Sequence, residues 1–269
     1  MKKVLYIVTI LLLVIAFGIS AYQVGSYFLE SKQQADRFDE LSAMRGEEEP
    51  VPVQTEAATG NTEQTGATTA ETIAAVESYE DRMKNIYDLN NDLVGWIKIA
   101  DTELDYPVMQ TDVSNRDFYL KHDFDGEESK RGCIYVREEC DVNKPSDNIT
   151  LYGHNMADGS MFAALNAYME KEAWEYNNLI EFSTLTERHI YKIFAVFKTS
   201  ASLGAGFTYH QFVDAEDEAA FNKFVKTCKD LAFYETEETP VYGDKLICLS
   251  TCEYTLENGR LVVCAYRLT

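Results

Sequence analysis

The sequence predicts a mainly β domain, a closed or nearly closed antiparallel barrel or sandwich of eight strands, behind a membrane-spanning helix. Three observations lead there. Eight short apolar or alternating runs, separated by turn residues, occupy the chain from residue 94 to its end. Two amphipathic helical segments interrupt them. The first 22 residues differ in character from the rest: after Lys2 and Lys3, residues 4–22 carry no charge, and at roughly 1.5 Å per residue such a helix nearly crosses a bilayer.

Lysines before this segment and an acidic chain behind it put the N-terminus in the cytoplasm by the positive-inside rule. Ala16-Phe17-Gly18 loosely resembles a signal-peptide cleavage site, but the apolar run continues through Ile19 to Tyr22, long for a signal core. An uncleaved anchor is the preferred reading. Residues 23–43 are polar with occasional aromatics and read as a helical extension of the anchor. Residues 45–70 have almost no large apolar side chains, so burial cannot offset the entropy of ordering them. A flexible stalk of some 50 residues from membrane to domain spans roughly 40 Å on average. The organisation expected is therefore 1–22 tip and anchor, 23–75 extracytoplasmic linker, largely disordered, and 76–269 folded domain.

The folded part opens on a helix whose face carries Met83, Ile86, Tyr87 and Leu89, ending before Asn90-Asn91. The strand-like runs are 94–100, 104–110, 133–137, 148–153, 179–185, 189–199, 245–252 and 261–268. One helix is expected over 160–171. A second, over 215–231, carries Phe221, Phe224, Val225, Cys228 and Leu231 along one stripe.

A net charge of −21 argues against nucleic-acid binding, because no basic patch offsets phosphate repulsion. The six cysteines, at 133, 140, 228, 248, 252 and 264, all follow the membrane segment. Most lie in apolar patterns, where free cysteine packs as a small hydrophobe. Five buried thiols, one optional disulfide and no metal site are expected.

Cys252 closes its run and opens into the polar stretch 253–259, a strand-end position where binding and catalytic residues concentrate. Arg260 opens the next run. A thiolate can attack a carbonyl while a cation steadies the oxyanion that develops. Two registers are open. In one, 253–259 is an open loop and Cys252 faces Arg260. In the other, Asn258-Gly259 makes a tight turn, and Cys252 lies roughly 17 Å away along the strand. Of four histidines, His154 alone ends a strand-like run and leads into a Gly-containing polar loop. His122, His189 and His210 read as surface or loop residues.

Leu249-Ser250-Thr251-Cys252, with Arg260 eight residues on and Tyr152-Gly153-His154-Asn155-Met156 upstream, resembles the signature of the sortases. These are membrane-anchored cysteine transpeptidases of Gram-positive bacteria. Gly95-Trp96-Ile97, Asp105 to Gln110, Asp117 to Leu120, and Gly159 to Phe162 resemble class B, over nearly all of residues 80–269. The resemblance implies an eight-stranded sortase-type β-barrel with an N-terminal helix and a helix inserted between strands six and seven. It puts the family's catalytic residues on His154, Cys252 and Arg260, and thereby favours the open loop. It implies no cofactor. The partners implied are secreted proteins with a C-terminal sorting motif and an amino group of peptidoglycan. Ser250, Glu253, Tyr209, Tyr119 and Leu120 fall where peptide contacts are expected. Abundant cysteine departs from the usual pattern: Cys248 and Cys264 are expected near Cys252 as an oxidation hazard.

Overall fold

The computed structural model describes residues 2–46, 77–202 and 204–269. The chain divides into two compact units, Met1–Leu41 and Ser42–Thr269. The first is carried by helix α1 (Lys2–Arg45). Leu11, Leu12, Leu13 and Phe17 are all exposed on it, compatible with a membrane anchor. It is the one helix among the described residues long and apolar enough to cross a membrane. Most of the stalk, residues 47–76, lies outside the described residues.

The second unit starts well before residue 76, because Arg45 is held in it. Arg45 is 3% exposed. Its guanidinium lies 5.0 Å from the Trp96 ring centre, 3.3 Å from Asp105 Oδ1 and 3.9 Å from Glu181 Oε1. Arg82 Nε donates to its carbonyl at 2.6 Å. A cation buried with both an aromatic face and carboxylates is compensated for lost water.

Helix α2 (Tyr79–Tyr87) begins at a capping box in which Ser78 and Asp81 each satisfy the other's backbone amide. It buries Met83 and Ile86. Leu89, counted on the same face, lies beyond the helix end and is exposed.

The eight runs correspond to eight strands: β1 (Leu93–Lys98), β2 (Asp105–Met109), β3 (Ile134–Val136), β4 (Asn148–Tyr152), β5 (Leu179–Thr184), β6 (Arg188–Ser200), β7 (Leu246–Glu253) and β8 (Gly259–Arg267). They close a barrel in the order β1-β2-β3-β4-β7-β8-β6-β5. The barrel is not wholly antiparallel: β2 with β3 and β4 with β7 run parallel. Parallel neighbours need long crossovers, and the chain supplies them between 110 and 133 and between 153 and 245.

The helix expected over 160–171 is instead a 3-10 helix, Phe162–Met169, followed by a short α3 (Lys171–Tyr176). Phe162, Leu165 and Tyr168 are its buried residues, and their spacing of three matches three residues per turn. Helix α4 (Glu218–Leu231) lies between β6 and β7 in the chain and is capped by Asp217, which accepts from Ala220 N. Phe221, Phe224, Val225 and Cys228 pack on Phe194, Leu246, Cys248, Val262 and Cys264. Leu231 ends the stripe exposed. All of β7 is buried except Cys252, because one strand face meets α4 and the other lines the barrel.

Candidate active site

The site follows from two registers. β4 and β7 pair in parallel, with Asn148 opposite Leu246 and Tyr152 opposite Ser250. Carried two residues past the end of β4, that register brings His154 alongside Cys252. On the other side of β7, Cys252 stands directly opposite Arg260 of β8. Arg267 N donates to Lys245 O, so alternate pairs from there are hydrogen-bonded and Cys252/Arg260 is a non-hydrogen-bonded pair. Side chains approach more closely in such pairs. His154, just past the end of β4, thus comes to the same rim as Cys252 and Arg260, which close β7 and open β8 eight residues apart.

The tight Asn258-Gly259 turn does not form; residues 254–258 make the open loop. Glu253 organises it: its carboxylate accepts from Thr255 N (3.0 Å), Thr255 Oγ1 (2.8 Å) and Leu256 N (3.2 Å). Lys198 Nζ lies 2.8 Å from the same carboxylate. Burial raises the Glu253 pKa, but the Lys198 ammonium and the Thr255 bonds outweigh it and hold the carboxyl at about 2. The far end of the loop is tied to β6, where Ser200 Oγ donates to Glu257 O and Ala201 N to Asn258 O.

Gly153 has a steric reason to precede His154. A Cβ there would lie 2.4 Å from Ile134 Cδ1 and 2.8 Å from the Phe162 ring. His154 Nε2 donates to the Leu120 carbonyl at 2.8 Å. Since a carbonyl only accepts, the neutral ring is protonated at Nε2 and leaves Nδ1 to accept a proton. The strand ends are laced together: Thr251 Oγ1 donates to Gly153 O (2.8 Å), Asn155 Nδ2 to Cys252 O (2.9 Å) and Tyr254 Oη to Asn155 O (3.1 Å).

His154, Cys252 and Arg260 line one cleft of about 270 Å³, together with Ser250, Tyr209 and Leu120. Ser250 Oγ and Tyr209 Oη are 2.6 Å apart on its floor, and burial pushes the Tyr209 phenol well above its ordinary pKa. Two expected peptide contacts lie elsewhere. Tyr119 is buried, its hydroxyl donating to Asp92 Oδ2 and accepting from Asn90 Nδ2, both at 2.9 Å. Glu253 faces the loop it organises. Cys248 and Cys264 face each other under α4 rather than Cys252.

His210 was expected at the surface but lines the cleft. Burial, with Arg137 and Arg260 nearby, lowers its pKa. Arg137, Tyr135 and Asp117 line the cleft as well. Arg137 closes the third strand-like run, the same strand-end signal that marked His154 and Cys252. Asp117 carries no such mark; its backbone is left-handed (φ 54°), and its Oδ1 accepts from Tyr135 Oη at 2.8 Å.

An eight-stranded barrel with thiol, imidazole and guanidinium gathered at one rim is suited to acyl transfer through a cysteine. The sortase domain model matches residues 97–268. Sortase B of Listeria monocytogenes is 33% identical over 187 residues, covering 68% of this chain and 72% of that protein. Sortase B of Staphylococcus aureus is 28% identical over 274 residues, covering 98% and 97%. A solved complex of Staphylococcus aureus sortase B with its substrate superposes with a TM-score of 0.63 at 28% identity, covering 69% of this chain and 84% of that one. The chain belongs to the sortase family, and within it to class B. It is a cysteine transpeptidase.

Proposed function

We propose that the enzyme cleaves a C-terminal sorting motif of secreted proteins after its threonine, holds the acyl fragment on Cys252 and passes it to an amino group of peptidoglycan. The observation that carries this reading is the meeting of His154, Cys252 and Arg260 at the rim of one cleft. The Cys252 thiolate attacks the threonine carbonyl carbon, and Arg260, one strand away, meets the oxyanion or holds the motif backbone. His154, its Nε2–H held by Leu120, delivers a proton from Nδ1 to the departing amine, leaving a thioester. The acceptor amine attacks that thioester, gives its proton back to His154 and frees the Cys252 sulfur. Ser250, Tyr209 and Leu120 are the peptide contacts. The resemblance to class B favours motifs of the Asn-Pro-x-Thr-Asn/Gly or Ser/Pro-Pro-x-Thr-Gly kind. Lys2 and Lys3 ahead of the apolar helix support a cytoplasmic N-terminus and an extracytoplasmic catalytic domain.

The test uses the full chain in detergent with a panel of quenched fluorescent motif peptides, with and without an amine acceptor, beside Cys252→Ala. Cleavage with acceptor-joined product, lost in the variant, is the expected result. Hydrolysed peptide alone, across a range of acceptors, points to a thiol peptidase. Activity retained without Cys252 sinks the assignment.

A further inference from the structure

The β7–β8 ladder builds a second sulfur site beneath α4. Cys248 and Cys264 are cross-strand partners. By the same alternation that governs Cys252 and Arg260, they form a non-hydrogen-bonded pair, with Cα atoms about 4.5 Å apart. A disulfide spans Cα separations of about 4.4–6.8 Å. The two Sγ atoms are 3.0 Å apart. A third thiol, Cys228 of α4, also contacts Cys264, and all three side chains are wholly buried.

We propose that Cys248 and Cys264 are joined by a disulfide in the exported enzyme, a covalent tie between the two strands that carry Cys252 and Arg260. The proposal rests on the extracytoplasmic placement of the domain. The oxidant is a disulfide, small or protein-borne. One cysteine thiolate attacks it, forming a mixed disulfide and expelling one thiol. The second thiolate attacks the mixed disulfide at the cysteine sulfur, forming the Cys248–Cys264 bond and expelling the other thiol. Two electrons and two protons thus pass from the cysteines to the oxidant.

Burial sets the timing. Burial pushes the thiols of Cys264 and Cys228 above the ordinary cysteine range, so neither is a ready nucleophile once α4 has packed. The bond closes during folding and is then shielded from reductants. Register selects the pair. The main-chain ladder holds Cys248 and Cys264 face to face, whereas Cys228 reaches Cys264 only across a helix–sheet interface. Cys252 is four residues along the strand from Cys248, about 13 Å, beyond the reach of a bond. The nucleophile therefore stays free.

The full chain, isolated from membranes in detergent, is denatured and alkylated with iodoacetamide before and after reduction. Four alkyl groups before reduction and six after are expected. Cleavage after lysine and arginine without reduction should leave residues 246–260 joined to 261–267 through Cys248. Six groups before reduction, or a link through Cys228 or Cys252, overturns the proposal. A second arm refolds the reduced, denatured chain with glutathione disulfide. A Cys248–Cys264 link there but not in the membrane isolate means that no oxidant met a competent pair, and the placement on which the proposal rests is wrong. A link in neither arm means that the geometry is wrong. The measurement needs no variant, so a folding defect cannot obscure it.

Discussion

Replacing Glu253 by alanine asks whether the 254–258 loop is what holds Cys252 opposite Arg260. The Glu253 side chain is nearly buried and accepts three hydrogen bonds from Thr255 and Leu256 besides its ion pair with Lys198. Hydrogen bonds to a charged group contribute about 1.5–3 kcal/mol each. The loop amides are at the surface, however, and recover water when the acceptor is lost. The net loss is then about 2–3 kcal/mol for Glu253→Ala, less than the sum of its bonds. If the ordered loop is required for attack, kcat/KM falls by about 30- to 150-fold. Glu253→Gln keeps an acceptor oxygen for the loop donors but turns its NH2 towards the Lys198 ammonium and loses the ion pair, a loss of about 1 kcal/mol or roughly fivefold in rate.

The pH dependence has a definite sign. The folded carboxyl titrates at about 2 against an ordinary 4.5. A depressed carboxyl stabilises the fold fully above 4.5, and that contribution is lost as pH falls towards 2. Melting of the wild type and of Glu253→Gln, followed by circular dichroism across this window, should converge at the acid end, with the wild type falling more steeply. Peptide transfer at neutral pH supplies the rates. Parallel melting curves, or full activity in Glu253→Ala, would refute the reasoning.

Arg260→Lys keeps the charge but loses the planar fork, and should lower kcat/KM by more than tenfold with little change in melting temperature; an unchanged rate removes Arg260 from the oxyanion role. Gly153→Ala drives a methyl to 2.4 Å from Ile134 Cδ1, and should cost about 1–3 kcal/mol in chemical unfolding while weakening turnover through the displaced His154. Tyr209→Phe leaves the buried Ser250 hydroxyl without its 2.6 Å partner. It should cost about 1 kcal/mol or more and raise KM more than it lowers kcat. Arg45→Ala removes the cation over Trp96 and should destabilise the domain by about 2 kcal/mol, with transfer kinetics unchanged below the melting temperature.

The strands were legible because each barrel strand buries side chains in runs or alternation that interrupting turns set apart. Their directions were not. Apolar pattern says which residues are buried, whereas pairing depends on where each crossover returns the chain, and two long crossovers make β2/β3 and β4/β7 parallel. The 3-10 helix at Phe162–Met169 was missed because, over eight residues, a period of three is hard to tell from 3.6. Arg45 was missed because its partners, Trp96, Asp105 and Glu181, are distant in sequence and its own segment is polar.

His154 and Cys252 were legible as strand-end residues, and the motif resemblance joined Arg260 to them. The misplaced contacts failed on orientation. Glu253 is adjacent to Cys252 on one strand, so its side chain projects to the opposite face; alternation alone argued against a role in the same cleft. Tyr119 and Leu120 are neighbours in a 3-10 turn, Phe118–Leu120, where adjacent side chains diverge. What pattern could not supply was the length of one loop. A two-residue turn at Asn258-Gly259 would have paired Glu257 with Arg260, and hence Cys252 with Ala265 and Cys248 with Thr269. The open loop instead puts Cys252 opposite Arg260 and Cys248 opposite Cys264 together. Glu253 and Lys198 latch this loop, and on its length depend both the Cys252/Arg260 pair at the rim and the sulfur pair beneath it. Loosening that latch should disturb the rim first, because only the lower pair is covered by α4.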